Sequence, residues 1–171
     1  MRLFFALWPD DDVTQQLSRV ACQLNLEGRS RRVNPKNYHV TLAFVGEVEA
    51  PGFAVLQQIG RSLGVPRFTF ACDSLEYWQE SRVVVAAAQV VPPALHDFWI
   101  RLNDAIGLPR ERLRAHVTLA RKVAQAPVLQ AMSSIVWRAT HFCLIRSDTG
   151  GVESAYTVLD TWPLLDETEN P

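Results

Sequence analysis

The sequence has no long hydrophobic run. Its apolar N-terminal stretch, Leu3 to Pro9, ends at Asp10-Asp11-Asp12, far short of the roughly 20 residues a membrane-spanning helix needs and too short for a signal peptide. It also lacks an excess of charge: 17 Lys and Arg stand against 18 Asp and Glu, a formal net charge of −1. Nucleic-acid binding by bulk electrostatics is thereby excluded, and any such ligand must be gripped locally. Cysteine is scarce. Cys22, Cys72 and Cys143 are odd in number, far apart and without C-x-x-C spacing, which supports neither a disulfide framework nor a structural zinc site. Three buried, reduced thiols in a cytoplasmic protein are expected. Linkers rich in Pro, Gly or Ser and low-complexity segments are missing as well.

What is present suffices for a core: 48% of the 171 residues are hydrophobic and 20% charged, which fits one domain or two small lobes. Residues 2–8 read as a strand buried on both faces, followed by turn chemistry and an acidic helix start. Val13, Leu17, Val20, Ala21 and Leu24 then recur at helical steps. Residues 27–37 form a polar loop carrying Arg29, Arg31, Arg32 and Lys36, expected as an ordinary solvated segment rather than a phosphate-attracting rim. A strand at 39–46 precedes a helix over 51–63, with Phe53, Leu56, Ile59 and Leu63 inward. RFTFACDSL and RVVVAAAQVV should then pair as strands, with Glu76 to Ser81 turning between them.

Pro92-Pro93 open a third helix whose apolar face is Leu95, Phe98, Trp99, Leu102 and Ile106, and Gly107 and Pro109 stop it. Residues 127–135 read as a short helix or an irregular connection. Two last strands, about 140–147 and 155–162, flank the turn signal at 148–151, and 166–171 form a tail. This order predicts an α+β fold with antiparallel sheets, a single domain over 1–165, and monomer as the default state in the absence of coiled-coil heptads.

One pentapeptide is written twice. HVTLA occupies 39–43 and returns at 116–120; a given pair of windows agrees at five places with a probability of order one in a million, and a chain of this size offers only ~10⁴ pairs. Strand alternation puts His39, Thr41 and Ala43 on one face and Val40, Leu42 and Phe44 on the other, with the same split at His116, Thr118 and Ala120 against Val117 and Leu119. The apolar face explains itself as core. The other places an imidazole beside a hydroxyl, and polar groups there need water, protein or a ligand. If each copy lies in one of two lobes related by an approximate two-fold, two His and two Thr meet at one site.

Two imidazoles and two hydroxyls suit in-line displacement at phosphorus. One ring accepts a proton from water, the other gives one to the leaving oxygen, and the hydroxyls donate to the non-bridging oxygens. Zinc catalysis is disfavoured, since three ligands are usual and the chain lacks H-x-H and H-E-x-x-H. The one G-x-S-x-G, Gly60-Arg61-Ser62-Leu63-Gly64, falls at the end of the helix expected over 51–63 and not on a strand-to-helix turn, so it marks no nucleophilic serine.

Two H-x-[ST]-φ motifs in one small chain resemble the 2H phosphoesterase superfamily. RLFFALWP, NYHVTLAFVGEV, HVTLAR and SAYTVLDTWPL resemble in particular the bacterial RNA 2′,3′-cyclic phosphodiesterases, also called 2′-5′ RNA ligases. The resemblance implies a bilobal fold of two antiparallel sheets around a central cleft, helices on the outer faces. It also implies metal-free hydrolysis of RNA or nucleoside 2′,3′-cyclic phosphates to 2′-phosphates, without cofactor, DNA or membrane. The same site run backwards would make a 2′-5′ linkage. By motif position His39 and His116 are the acid–base pair, with His116 as base and His39 as acid, although the reverse leaves the same signature. Thr41, Thr118 and Arg121 fall at the phosphate. Ala115 stands where the family often has Pro. Phe4, Phe5, Trp8, Tyr38, Phe44 and Trp78 are candidates for stacking on a base, with Phe4 and Phe5 preferred because the family sets this strand beside the cleft. A non-catalytic RNA-end or nucleotide-binding module, and a phosphodiesterase for another small cyclic phosphate, stay open.

Overall fold

The computed structural model describes residues 1–109, 112–148 and 155–166. β1 (Arg2–Leu7) is buried from Leu3 to Leu7, as a strand covered on both faces must be. It lies between β3 (Val40–Glu47) and β9 (His141–Asp148), and β10 (Ala155–Pro163) flanks β9, giving an antiparallel sheet of order β10-β9-β1-β3. A second antiparallel sheet has the order β2-β7-β6-β5, from β2 (Arg31–Arg32), β7 (His116–Arg121), β6 (Val83–Ala87) and β5 (Ser74–Trp78). A two-stranded ladder of β4 (Phe68–Cys72) and β8 (Ile135–Ala139) is tied to it. The tie is Asp73, which joins β4 to β5 and donates its N–H to Ala87 O at 3.0 Å.

α1 (Asp11–Gln23) starts where the Asp10 carboxylate accepts the Val13 N–H at 2.9 Å, and Asp11 and Asp12 favour the positive end of its dipole. Its other end is held by Arg32, whose guanidinium donates to Ala21 O at 2.8 Å and Leu24 O at 2.7 Å. α2 (Ala50–Ser62) begins with Pro in its first turn, and α3 (Pro93–Ile106) ends at Gly107, whose φ of 80° suits glycine. α1 follows a strand of the first sheet yet packs on β7 and β8, while α3 follows β6 and packs on β3. The helices are thus exchanged between the sheets. One continuous core results, running from Phe5, Leu17 and Phe142 to Leu102, Leu119 and Trp137. The opposite sheet faces carry two smaller clusters: Phe4, Ala6, Cys143 and Ile145 on the first, and Val83, Val85 and Ala87 on the second.

Four local expectations change. The polar loop contains β2, because Arg31 and Arg32 pair with Arg121 and Ala120 at the edge of β7. β8 begins at the end of the stretch expected as helix or irregular. Ile135, Trp137 and Ala139 are buried there while Val136 and Arg138 are exposed, an alternation of period two that the preceding irregular segment masks. Glu76 to Trp78 belong to β5, not to a turn, so the reversal falls later, at 79–82. Cys22 is exposed, whereas Cys72 and Cys143 are buried. The turn residues 149–151 and the tail beyond 166 lie outside the described residues.

Trp162 ties α2 to the first sheet, its ring 5.9 Å from Phe5 and 5.2 Å from Phe142. A Cβ on Gly60 would lie 2.5 Å from that indole. Gly60→Ala gains about 1 kcal/mol of helix propensity but forces an overpacking cost of about 1–3 kcal/mol. The net cost of up to about 2 kcal/mol is expected to lower Tm by up to roughly 8 °C in calorimetry; a raised Tm contradicts this packing.

Candidate active site

The two HVTLA strands carry the same irregularity at the same place. Along β3, Thr41 stands opposite Ala6 and Ala43 opposite Phe5, so Leu42 is an extra residue without an opposite partner. Along β7, Thr118 stands opposite Val85 and Ala120 opposite Val84, so Leu119 is extra. Each is a β-bulge, which lets two consecutive residues face the core and reverses the alternation beyond it. Ala43 and Ala120 therefore join the core instead of the histidine face, contrary to a regular-strand reading. The residue after each alanine turns outward: Phe44 is 49% exposed, and Arg121 is exposed. The first of these meets Arg2, whose guanidinium lies 4.8 Å from its ring centre.

His39 immediately precedes β3, and His116 opens β7. Both rings are anchored alike. His39 Nδ1 lies 2.7 Å from Asn37 O, and His116 Nδ1 lies 2.6 Å from Arg114 O. A carbonyl can only accept, so each Nδ1 carries the proton, and the lone pair of the neutral ring is on Nε2. Ala115, in place of the family proline, is 1% exposed and keeps its carbonyl in the sheet by accepting the Ala88 N–H at 2.9 Å.

Burial is the main reason both rings resist protonation. His39 is held at about 4, against 6.5 for a solvated imidazole; the Asn37 bond opposes the shift, while Arg121 and His116 add to it. His116 is lowered by burial, partly restored by its bond to Arg114 O, lowered by the Arg114 guanidinium, raised by Glu76 and lowered by Arg121. Arg121 acts on both rings and His116 acts on His39. The three groups therefore share one electrostatic field, although they come from different sheets.

Different walls surround the two rings. The His39 ring stacks on Trp8 at 5.5 Å with 5° between planes, and Phe4 at 5.0 Å and Tyr156 edge-on at 5.2 Å complete an aromatic box. Trp78 meets the His116 ring at 4.4 Å, and its other neighbour is Arg114, 4.3 Å from the indole centre. One Glu76 oxygen accepts from Trp78 Nε1 at 2.7 Å and from Arg114 at 2.6 Å, which fixes the indole and the cation together.

Of the sequence-predicted residues, His39, Thr41 and Phe4 lie on one histidine-bearing face and His116, Thr118 and Arg121 on the other. Phe5 does not join them: its ring is 0% exposed in the main core, because β1 alternation turns it away from Phe4. Tyr38 is likewise core, at 1% exposed. Glu76 and Arg114 had no motif to mark them, and Tyr156 lay within the quoted SAYTVLDTWPL without an assigned role. Glu76 and Trp78, two apart in β5, share a face once the strand is seen to run through them.

Each of the two antiparallel sheets thus carries one bulged H-x-T-φ strand, the motif pair in which the sequence resembles the 2H phosphoesterases. The family model described as LigT like Phosphoesterase matches residues 7–85. RNA 2′,3′-cyclic phosphodiesterases of Escherichia coli and Thermus thermophilus are each 27% identical; the first match covers 95% of this chain and 96% of the relative, the second 98% and 92%. The solved structure of E. coli LigT complexed with NADP+ superposes with a TM-score of 0.87 at 28% identity, covering 95% of this chain and 97% of that one. The chain is thus similar to LigT-like phosphoesterases over residues 7–85 in sequence and to E. coli LigT over nearly its whole length in fold.

The pH dependence of stability follows from His39. In the unfolded chain the ring gains a proton near 6.5, in the folded protein only near 4, so between these values the unfolded state binds more protons. Stability is full above about 6.5 and falls as pH drops towards 4, by up to about 3 kcal/mol from this ring. Urea unfolding of the wild type and of His39→Gln at pH 7 and 4.5 is expected to show a smaller pH effect in the variant; equal pH effects contradict the assigned burial.

Proposed function

We propose that this chain hydrolyses RNA or nucleoside 2′,3′-cyclic phosphates to 2′-phosphates, with His39 and His116 as the general acid–base pair. The observation that carries this reading is the matched presentation of two imidazoles. Each holds its Nδ1 proton on a carbonyl two residues upstream and keeps its Nε2 lone pair, and the rings interact with each other and with Arg121. The names of the relatives supply the substrate class.

Water attacks phosphorus opposite the departing 3′ oxygen, so one Nε2 takes a proton from water and the other, protonated, gives one to the leaving oxygen. Thr41 and Thr118, on the same faces as the rings, donate to the non-bridging oxygens, and Arg121 adds a full positive charge. Both rings resist protonation in the free protein. An anion between them offsets that tendency, so the acid acquires its proton with the substrate. Glu76 raises His116 alone. The Arg114 guanidinium lowers it by more, so the assignment drawn from the resemblance, His116 as base and His39 as acid, is kept. Trp8 and Tyr156, both partly buried, form an aromatic wall suited to a nucleobase, while Phe4, 3% exposed, backs the His39 ring from the buried cluster and does not reach a base. The paired sheets act as one domain over 1–165.

Incubation with 2′,3′-cyclic AMP in EDTA should yield the 2′-phosphate. His39→Ala and His116→Ala should each lose about 10²–10⁴-fold in kcat, with a bell-shaped pH profile belonging to the pair. Tight binding without turnover would favour a nucleotide-binding module, and near-wild-type turnover in either variant would reject the pair.

A further inference from the structure

The two histidine rings are confined to different degrees. Three aromatic rings, from Trp8, Phe4 and Tyr156, enclose His39. Among the described residues a single aromatic ring, that of Trp78, packs on His116, at 4.4 Å. The bond from His116 Nδ1 to Arg114 O holds one corner of the imidazole. Rotation of a histidine ring about its last torsion is soft, so the tilt that aims Nε2 is left to the indole. The indole in turn depends on Glu76. Along β5, Glu76 stands opposite Val85 and Trp78 opposite Val83; Val85 meets Thr118 on its other side, and Ala87 meets His116. Both β5 side chains therefore share the face of His116 and Thr118. One carboxylate oxygen of Glu76 accepts from Trp78 Nε1 at 2.7 Å and from the Arg114 guanidinium at 2.6 Å, and that guanidinium lies 4.3 Å from the indole centre. Arg114 thus serves His116 twice: its carbonyl takes the Nδ1 proton, and its side chain is clamped to the ring that walls the imidazole.

We propose that Glu76 is a positioning residue for the reaction: through Trp78 and Arg114 it holds the His116 imidazole in the one orientation that presents Nε2 to phosphorus. The inference rests on the function proposed above. An oxygen engaged by two donors has no need to reach the reacting atoms, so Glu76 acts only through its neighbours. Its charge matters as well as its geometry. His116 faces the guanidiniums of Arg114 and Arg121, the His39 ring from the other sheet, and the Glu76 carboxylate from β5. Glu76 is the one charged group of these that favours the imidazolium, so removing its charge makes His116 still harder to protonate.

Kinetics on 2′,3′-cyclic AMP test this with two substitutions. Glu76→Gln keeps an acceptor for Trp78 Nε1 and removes the charge; it should retain most of kcat while the acidic limb of the pH–rate profile moves to lower pH. Glu76→Ala removes both, and should lower kcat by about 10–10²-fold with little change in KM, the scale of a misplaced catalytic group. In a Trp78→Phe background, where the indole N–H is gone, the further loss from Glu76→Ala should shrink. Unchanged kcat and limb positions in both Glu76 variants overturn the role of Glu76 and leave the proposed function intact. Losses of equal size in Glu76→Gln and Glu76→Ala, with the acidic limb unmoved, place the carboxylate at the reacting atoms and overturn the positioning role. Absence of turnover in the wild type overturns the proposed function, and this inference with it.

Discussion

One extra residue after each threonine sets the geometry of both halves of the site. A regular strand would have aimed Ala43 and Ala120 beside the histidines and buried the residues after them. The bulges at Leu42 and Leu119 do the opposite: each alanine fills the core beside a leucine, and the next side chain returns to the histidine face. The repeated pentapeptide thus encodes a shape as well as a set of functional groups. The same shape then carries different chemistry, because Phe44 ends one copy and Arg121 the other.

What holds the two copies together is the core. α1 and α3 each cover the sheet other than the one they leave, so the separation of the rings is fixed by packing through Leu17, Leu102 and Leu119 instead of by a hinge. The faces turned away from that core are free to carry polar groups. There the fold accepts a cost, since two half-buried imidazoles, an arginine and a carboxylate lose solvation. Bonds from Nδ1 to backbone carbonyls limit that cost and orient both Nε2 atoms. Aromatic walls make the first half apolar. The Glu76–Arg114–Trp78 cluster makes the second half charged.

The architecture was legible wherever periodicity was strong. α1 and α3 ran as expected because Val13, Leu17, Leu95, Phe98 and Leu102 repeat at helical spacing and Asp10 and Gly107 close their ends. The pair His39 and His116 was legible because it was repeated. Hidden features depended on pairing across the chain. A bulge leaves no mark in one strand and exists only against Ala6 or Val85. β2 is two arginines that become a strand only at the edge of β7. Phe4 and Phe5 are indistinguishable until β1 chooses which face meets the helices. Tyr156 reaches His39 from the last strand, a contact that no local pattern announces.

The central claim is that two imidazoles from different sheets act on one phosphorus atom. A crystal structure of the protein with bound 2′-AMP tests it most directly. The account predicts one phosphate whose oxygens lie within hydrogen-bonding distance of both Nε2 atoms, with Arg121 beside it. A phosphate that touches only one of the two rings, or that binds away from both, would contradict it.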